Sequence, residues 1–97
     1  MKSYLITYDL IRGGDYDALF KEIKSIAGVA HWHCLDSVWI INSTLTASQI
    51  NTRLIETLDS DDRIFVTQIH GLNTSWRRTF SDECRNWLKK HLRPVIK

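Results

Sequence analysis

Segments with the hydrophobic pattern of a strand and segments with that of a helix follow one another along the first 71 residues. Their order restricts the folds that are open to this chain. Short runs of β-branched and aromatic residues predict strands at 4–8, 29–35, 37–42 and 63–70. Apolar residues at helical spacing predict a helix from its cap, Asp15, to its stop, Gly28. A second helix begins with the capping box of Thr46 and Gln49 and is expected to end at Asp59. The predicted order is therefore β-α-β-β-α-β.

This order is that of an α+β, ferredoxin-like sandwich, in which two helices cover one face of a four-stranded antiparallel sheet. A third helix is predicted from Ser81 to Leu92, before Pro94. We therefore expect residues 1–97 to form a single ferredoxin-like domain, with its core at about 3–71 and a basic C-terminal extension at about 72–97. The sheet face without helices would need a partner, for which a second copy of the chain is the usual choice, so we expect a homodimer.

Composition indicates a soluble protein, because 43% of the residues are hydrophobic and 25% are charged. The longest apolar run, 38–41, is far shorter than a membrane span, so no membrane partner is expected. We expect no signal peptide before the first strand and a cytoplasmic location. Cys34 and Cys84 fit no metal-binding spacing, and the sequence predicts both as reduced, small core residues.

The positive charge is concentrated near the C-terminus. Residues 75–97 contain seven Lys or Arg and two Asp or Glu. Residues 1–74 contain six Lys or Arg and nine Asp or Glu. This distribution favours an anionic partner such as RNA or DNA, and the alternative is a helix whose solvated face is basic. The candidate nucleic-acid contacts are Arg12, Arg77, Arg78, Arg85, Lys89 and Lys90.

The first predicted strand ends on a carboxylate, Asp9, which is the candidate catalytic residue and metal ligand. Its structural alternative is to cap the turn at Gly13 and Gly14. His31 and His33 lie two residues apart, project from one face of a strand and would be able to bind a metal together. Without a third nearby ligand, the sequence favours a role for these histidines as aromatic residues of the sheet.

The strand at 4–10, which ends in Tyr-Asp-Leu, and the Ser-Val-Trp of the segment 35–40 resemble the small CRISPR-associated Cas-two proteins and the VapD-type ribonucleases. The resemblance covers about residues 3–71 and includes the order of the elements. It implies a homodimer in which two Asp9 side chains face each other and hold Mg²⁺ or Mn²⁺. It also implies metal-dependent phosphodiester cleavage, as an endoribonuclease or endonuclease. Some members of that family are scaffolds, so the alternative is a non-catalytic adaptor for nucleic acid or protein.

The chain departs from this pattern in its first helix, which carries only Lys21 and Lys24 where the family has an Arg-rich helix. The tail from Asn73 has no counterpart that aligns with the family. These departures weaken the expectation that nucleic acid would follow the family's path over the surface.

Overall fold

The computed structural model describes residues 1–11, 15–28, 30–70, 74–77 and 81–91. Within these ranges the chain has an α+β architecture, with four strands and three helices. In chain order the elements are β1 (Lys2–Asp9), α1 (Tyr16–Ala27), β2 (His31–Leu35), β3 (Val38–Ser43), α2 (Ala47–Ile55), β4 (Arg63–Ile69) and α3 (Asp82–His91). None of the helices in the described ranges has the length and apolar character needed to cross a bilayer.

The four strands form one sheet in the order β2-β3-β1-β4, and each neighbouring pair is antiparallel. β1 is an inner strand, and its alternate side chains, Tyr4, Ile6 and Tyr8, are buried. Because successive side chains of a strand point to opposite faces, Leu5 and Thr7 belong to the other face of the sheet. The two faces of the sheet therefore differ in burial at β1: the face with Tyr4, Ile6 and Tyr8 is fully covered, and the face with Leu5 and Thr7 is partly covered.

The helices α1 and α2 cover the first face and complete the main core. Leu19 and Ile23 of α1 and Ile50 and Leu54 of α2 are completely buried. They pack with side chains of β1 and β3 in one hydrophobic cluster. At the surface, Arg53 of α2 pairs with Glu22 of α1 at 2.6 Å, an exposed contact that adds little stability.

The predicted helix starts are confirmed by their caps. The Asp15 carboxylate accepts a hydrogen bond from the Ala18 amide, and Thr46 and Gln49 form the reciprocal capping box. The predicted end of α2 at Asp59 is wrong, because the helix ends at Ile55. After Ile55, the backbone amides of residues 57 and 58 donate hydrogen bonds to carbonyls three residues earlier, where an α-helix would use carbonyls four residues earlier. These two bonds close a turn and do not extend the helix.

α3 lies on the second face of the sheet, so the expectation that this face is open is only partly right. Leu88 of α3 is buried against Trp32 of β2 and Ile40 of β3. Near the end of α3, the Asn42 side-chain amide donates to Nδ1 of His91 at 3.1 Å. Burial lowers the pKa of His91, and the neighbouring Lys90 lowers it further. The half of this face formed by β1 and β4 has less cover, and Phe65 there is 59% exposed.

A disulfide joins Cys34 of β2 to Cys84 of α3, so the expectation that both cysteines are reduced is wrong. Their Cα atoms are 6.4 Å apart, within the range that a disulfide spans. Beside the bond, the Trp32 indole N–H donates to the Cys84 carbonyl at 3.2 Å. The two cysteines are 50 residues apart, and the packing of α3 on the sheet brings them together.

Candidate functional site

Buried hydrogen bonds hold the carboxyl end of β1 in place. The Trp39 indole N–H donates to the Tyr8 hydroxyl at 3.1 Å, and that hydroxyl donates to the Asp36 carbonyl at 3.2 Å. Burial raises the pKa of the Tyr8 phenol, so the hydroxyl keeps the proton that it donates. The residue before Asp9 is therefore anchored to both β3 and the turn after β2.

Asp9 itself is exposed at the end of β1, opposite Arg63 of β4 in the strand register. The two residues open onto a shallow hollow of about 220 Å³, whose other walls include Thr7 and Phe65. Among the described residues, no hydrogen bond or ion pair engages the Asp9 carboxylate. The Asp9 side chain is therefore in contact with solvent.

A second carboxylate, Asp62, organises the loops next to this hollow. One of its oxygens accepts the Ile11 amide at 2.8 Å, and the other accepts the Asp59 amide at 2.9 Å. These bonds connect the segment after β1 to the turn before β4. The sequence shows Asp62 only as part of a polar turn, because its bond to Ile11 joins residues 51 positions apart.

A metal ion at Asp9 would need ligands from outside the described part of one chain. Among the described residues, no three His, Cys, Asp or Glu side chains form a group that could hold a metal ion. Both oxygens of Asp62 already accept backbone amides, so that carboxylate acts as a brace for the loops. The alternative role for Asp9, as a cap of the turn at Gly13 and Gly14, involves residues outside the described ranges.

The candidate nucleic-acid contacts divide into three groups. Arg77, Lys89 and Lys90 are exposed. Arg85 is half-buried and pairs with Asp82 one helical turn before it, so much of its charge is compensated. Arg12 and Arg78 lie outside the described residues.

The lysines of α3 lie toward the opposite end of the sheet from Asp9. His91, which follows Lys90, contacts Asn42, and Asn42 pairs with Ser3 at the start of β1. Ser3 and Asp9 are six positions apart along β1, a distance of roughly 20 Å. Within one chain, the structure therefore does not bring these lysines and the carboxylate into one site.

A second hollow forms a groove along the edge strand β2, and sequence reasoning did not anticipate it. It encloses about 370 Å³. The residues that line it are Phe20, Lys24, His31, Trp32, His33, Cys34, Trp39, Glu83, Cys84 and Trp87. The sequence signal for this groove was the alternation in β2, where His31 and His33 face α1 and Trp32 and Cys34 face α3.

Within the groove, His33 stacks on Trp39 with ring centroids 4.2 Å apart, and Phe20 meets His33 edge-on at 5.0 Å. These contacts confirm the sheet-packing role that the sequence favoured for His33. The fold thus presents two separate candidate surfaces, a carboxylate at the end of β1 and an aromatic groove along β2. The chain has no match among family models, curated proteins or solved structures.

Proposed function

We propose that this chain is a ferredoxin-like, Cas-two-like homodimer that acts on nucleic acid as a metal-dependent phosphodiesterase, with Asp9 as its catalytic carboxylate. The strand order supports the ferredoxin-like part of the proposal. β3 lies between β1 and β2, and β1 lies between β3 and β4, always antiparallel to its neighbours. Two interleaved β-α-β units produce this order.

The partly covered half of the second sheet face supports a dimer. Phe65 is 59% exposed there, and its strand partner Thr7 lies between Leu5 and Asp9 on the same face of β1. A second copy that covered Phe65 would remove a large apolar side chain from water, which stabilises association. Asp9 and Arg63 carry opposite charges side by side, so the surface is also compatible with a copy of itself.

The observation that carries the proposal is the Asp9 carboxylate, which is exposed in the same hollow as Phe65 and is engaged by no other described residue. A two-fold axis near Phe65 would bring two such carboxylates together. Carboxylate oxygens suit Mg²⁺ or Mn²⁺, and one carboxylate per chain becomes two in the dimer. When bound, such an ion supplies an activated water and neutralises charge on a phosphodiester. Without it, two nearby carboxylates would repel each other.

The experiment is cleavage of RNA and of DNA by the purified protein with Mg²⁺ or Mn²⁺, for wild type and for Asp9→Asn. The matched control is Asp17→Asn, which neutralises another exposed carboxylate, in the first turn of α1. We expect the wild type and the control to cleave and Asp9→Asn to lose activity. Equal cleavage by Asp9→Asn and wild type, or no cleavage by any of the three, would refute the catalytic proposal.

A non-catalytic adaptor is the second candidate, and the exposed Arg77, Lys89 and Lys90 favour it. Because the lysines lie toward the other end of the sheet from Asp9, nucleic acid bound to them need not approach the carboxylate. On this proposal, binding weakens with salt and falls in a Lys89→Gln, Lys90→Gln double variant, while Asp9→Asn binds normally. Fluorescence anisotropy with labelled RNA and DNA separates the two candidates.

A cytoplasmic location remains part of the proposal and conflicts with one feature of the structure. Disulfides persist mainly in oxidising compartments, whereas thiols in the cytoplasm are kept reduced. A cytoplasmic protein would therefore carry Cys34 and Cys84 as thiols for most of the time. Trapping the thiols with a blocking reagent during cell lysis, followed by mass spectrometry, would show which form exists in the cell.

A further inference from the structure

We propose that His31 and His33 form a binding site for a late first-row divalent metal ion, such as Zn²⁺, Ni²⁺ or Cu²⁺, in the groove along β2. This site is separate from the Asp9 carboxylate and does not depend on the function proposed above. It has different chemistry, because imidazole nitrogens suit these ions, whereas carboxylate oxygens suit Mg²⁺ and Mn²⁺.

The hydrogen bonds of the two imidazoles carry the proposal. Nδ1 of His31 lies 3.1 Å from the Gly28 carbonyl, and Nδ1 of His33 lies 3.0 Å from the Val38 carbonyl. A carbonyl oxygen only accepts, so each Nδ1 carries the proton and donates it. In the neutral ring, each Nε2 then has a free lone pair. Metal-binding histidines in proteins typically show this arrangement, with the second nitrogen donating to a carbonyl or carboxylate that fixes the tautomer and the ring.

The two anchoring carbonyls lie on the outer sides of the histidine pair. Gly28 precedes β2, whereas Val38 pairs with Leu35 beyond His33. The two nitrogens of an imidazole are on opposite sides of the ring, so each Nε2 points away from the carbonyl that holds its Nδ1. Residues two apart in a strand are about 6.8 Å apart at Cα, a separation that two imidazoles can bridge through one ion.

Contacts with neighbouring aromatic rings restrict the motion of both histidine side chains. The His33 ring is held by Trp39 and Phe20, and the His31 ring centroid lies 5.6 Å from that of Trp39. The strand register also shifts between Trp32 and Leu35, an irregularity of the kind that redirects side chains near binding sites.

The groove is lined by one charge of each sign. Lys24 belongs to α1, on the side of the histidines, and Glu83 belongs to α3. Among the described residues, no third His, Cys, Asp or Glu completes the set, so water would occupy the other positions around the ion. An ion with two protein ligands and bound water is an open site, in contrast to the closed four-ligand sites of structural zinc.

The test is titration of the unreduced full-length protein with Cu²⁺, followed by electron paramagnetic resonance and by quenching of tryptophan fluorescence. The variants are His31→Gln and His33→Gln, and the matched control is His70→Gln, at an exposed histidine outside the groove. We expect one Cu²⁺ per chain with two nitrogen ligands in wild type and control. Each groove variant should weaken binding by at least about tenfold.

Circular dichroism of each variant separates loss of a ligand from loss of the fold. The His33 ring packs on Trp39, so loss of this contact could unfold His33→Gln. In that case two other measurements test the proposal. They are Cu²⁺ binding by His31→Gln, at a half-exposed position, and the number of nitrogen ligands in the wild-type spectrum. Wild-type affinity in folded His31→Gln, a wild-type spectrum without two nitrogen ligands, or loss of the signal in His70→Gln would overturn the proposal. Asp9→Asn should leave the Cu²⁺ signal with two nitrogen ligands unchanged, so this test and that of the phosphodiesterase proposal fail independently.

Discussion

Loss of the Cys34–Cys84 disulfide should destabilise the protein by about 4 kcal/mol. The bond closes a loop of 50 residues, and it reduces the conformational entropy of the unfolded chain. The chain-entropy relation for a loop of this length gives the stated value at 25 °C. We expect the packing of Leu88 on Trp32 and Ile40 to hold α3 on the sheet after reduction, because these contacts do not involve the two sulfur atoms.

The assay is urea denaturation of the wild type and of a Cys34→Ser, Cys84→Ser double variant, each with and without dithiothreitol. For a slope of about 2 kcal/mol/M, the loss corresponds to a fall of roughly 2 M in the midpoint. Reduction of the wild type should produce the same fall as the double substitution. The double variant should not respond to dithiothreitol, which makes it the control for effects of the reductant itself.

Either of two results would contradict this prediction. The first is that protein purified without reductant shows two free thiols per chain by mass spectrometry after alkylation. The second is that the bond is present but the urea midpoint stays the same after reduction. The first result would mean that the cysteines are reduced, as composition alone predicted, and the second that the loop closure does not restrict the unfolded chain.

Four further predictions address the core, a cap, the dimer and pH. Leu54→Ala should cost about 2 to 5 kcal/mol in urea denaturation, since the side chain is completely buried. Thr46→Ala should cost about 1 kcal/mol through loss of the capping box at the start of α2, measured in the same way. Phe65→Glu should shift the protein from dimer to monomer in light scattering, whereas Ile55→Glu, at another exposed apolar position, should not. The pKa of His91 is lowered in the folded state, so on acidification the unfolded chain binds this proton before the folded chain does. The free energy of unfolding should therefore fall as the pH drops below about 6.5. His91→Gln should reduce this pH dependence.

The parts of the fold that were predictable from sequence depend on local chemistry. Asp15 and Thr46 cap helices through bonds to residues three positions later, so the pattern that predicts the cap contains both partners. The alternation of buried residues in β1 is equally local. The end of α2 was not predictable in this way. Leu58 packs on the core from a turn, but it stands four residues after Leu54, so in the sequence it fits the spacing of a helix.

The candidate sites depend on contacts between distant residues, which a single sequence does not specify. Cys34 and Cys84 meet only because α3 packs on the second sheet face. The Nδ1 anchor of His33 is the carbonyl of Val38 on the next strand, where the register is irregular. For Asp9, the sequence correctly predicted its place at the strand end, whereas its proposed metal site depends on a second copy of the chain.

The stoichiometry of Mn²⁺ binding shows whether two Asp9 carboxylates share one ion. Equilibrium titration, with light scattering on the same sample, gives the number of ions and of chains in the complex. We expect one Mn²⁺ per two chains in wild type and in Asp17→Asn, and no binding in Asp9→Asn. A monomer that binds no Mn²⁺, or an ion that still binds to Asp9→Asn, would contradict this expectation.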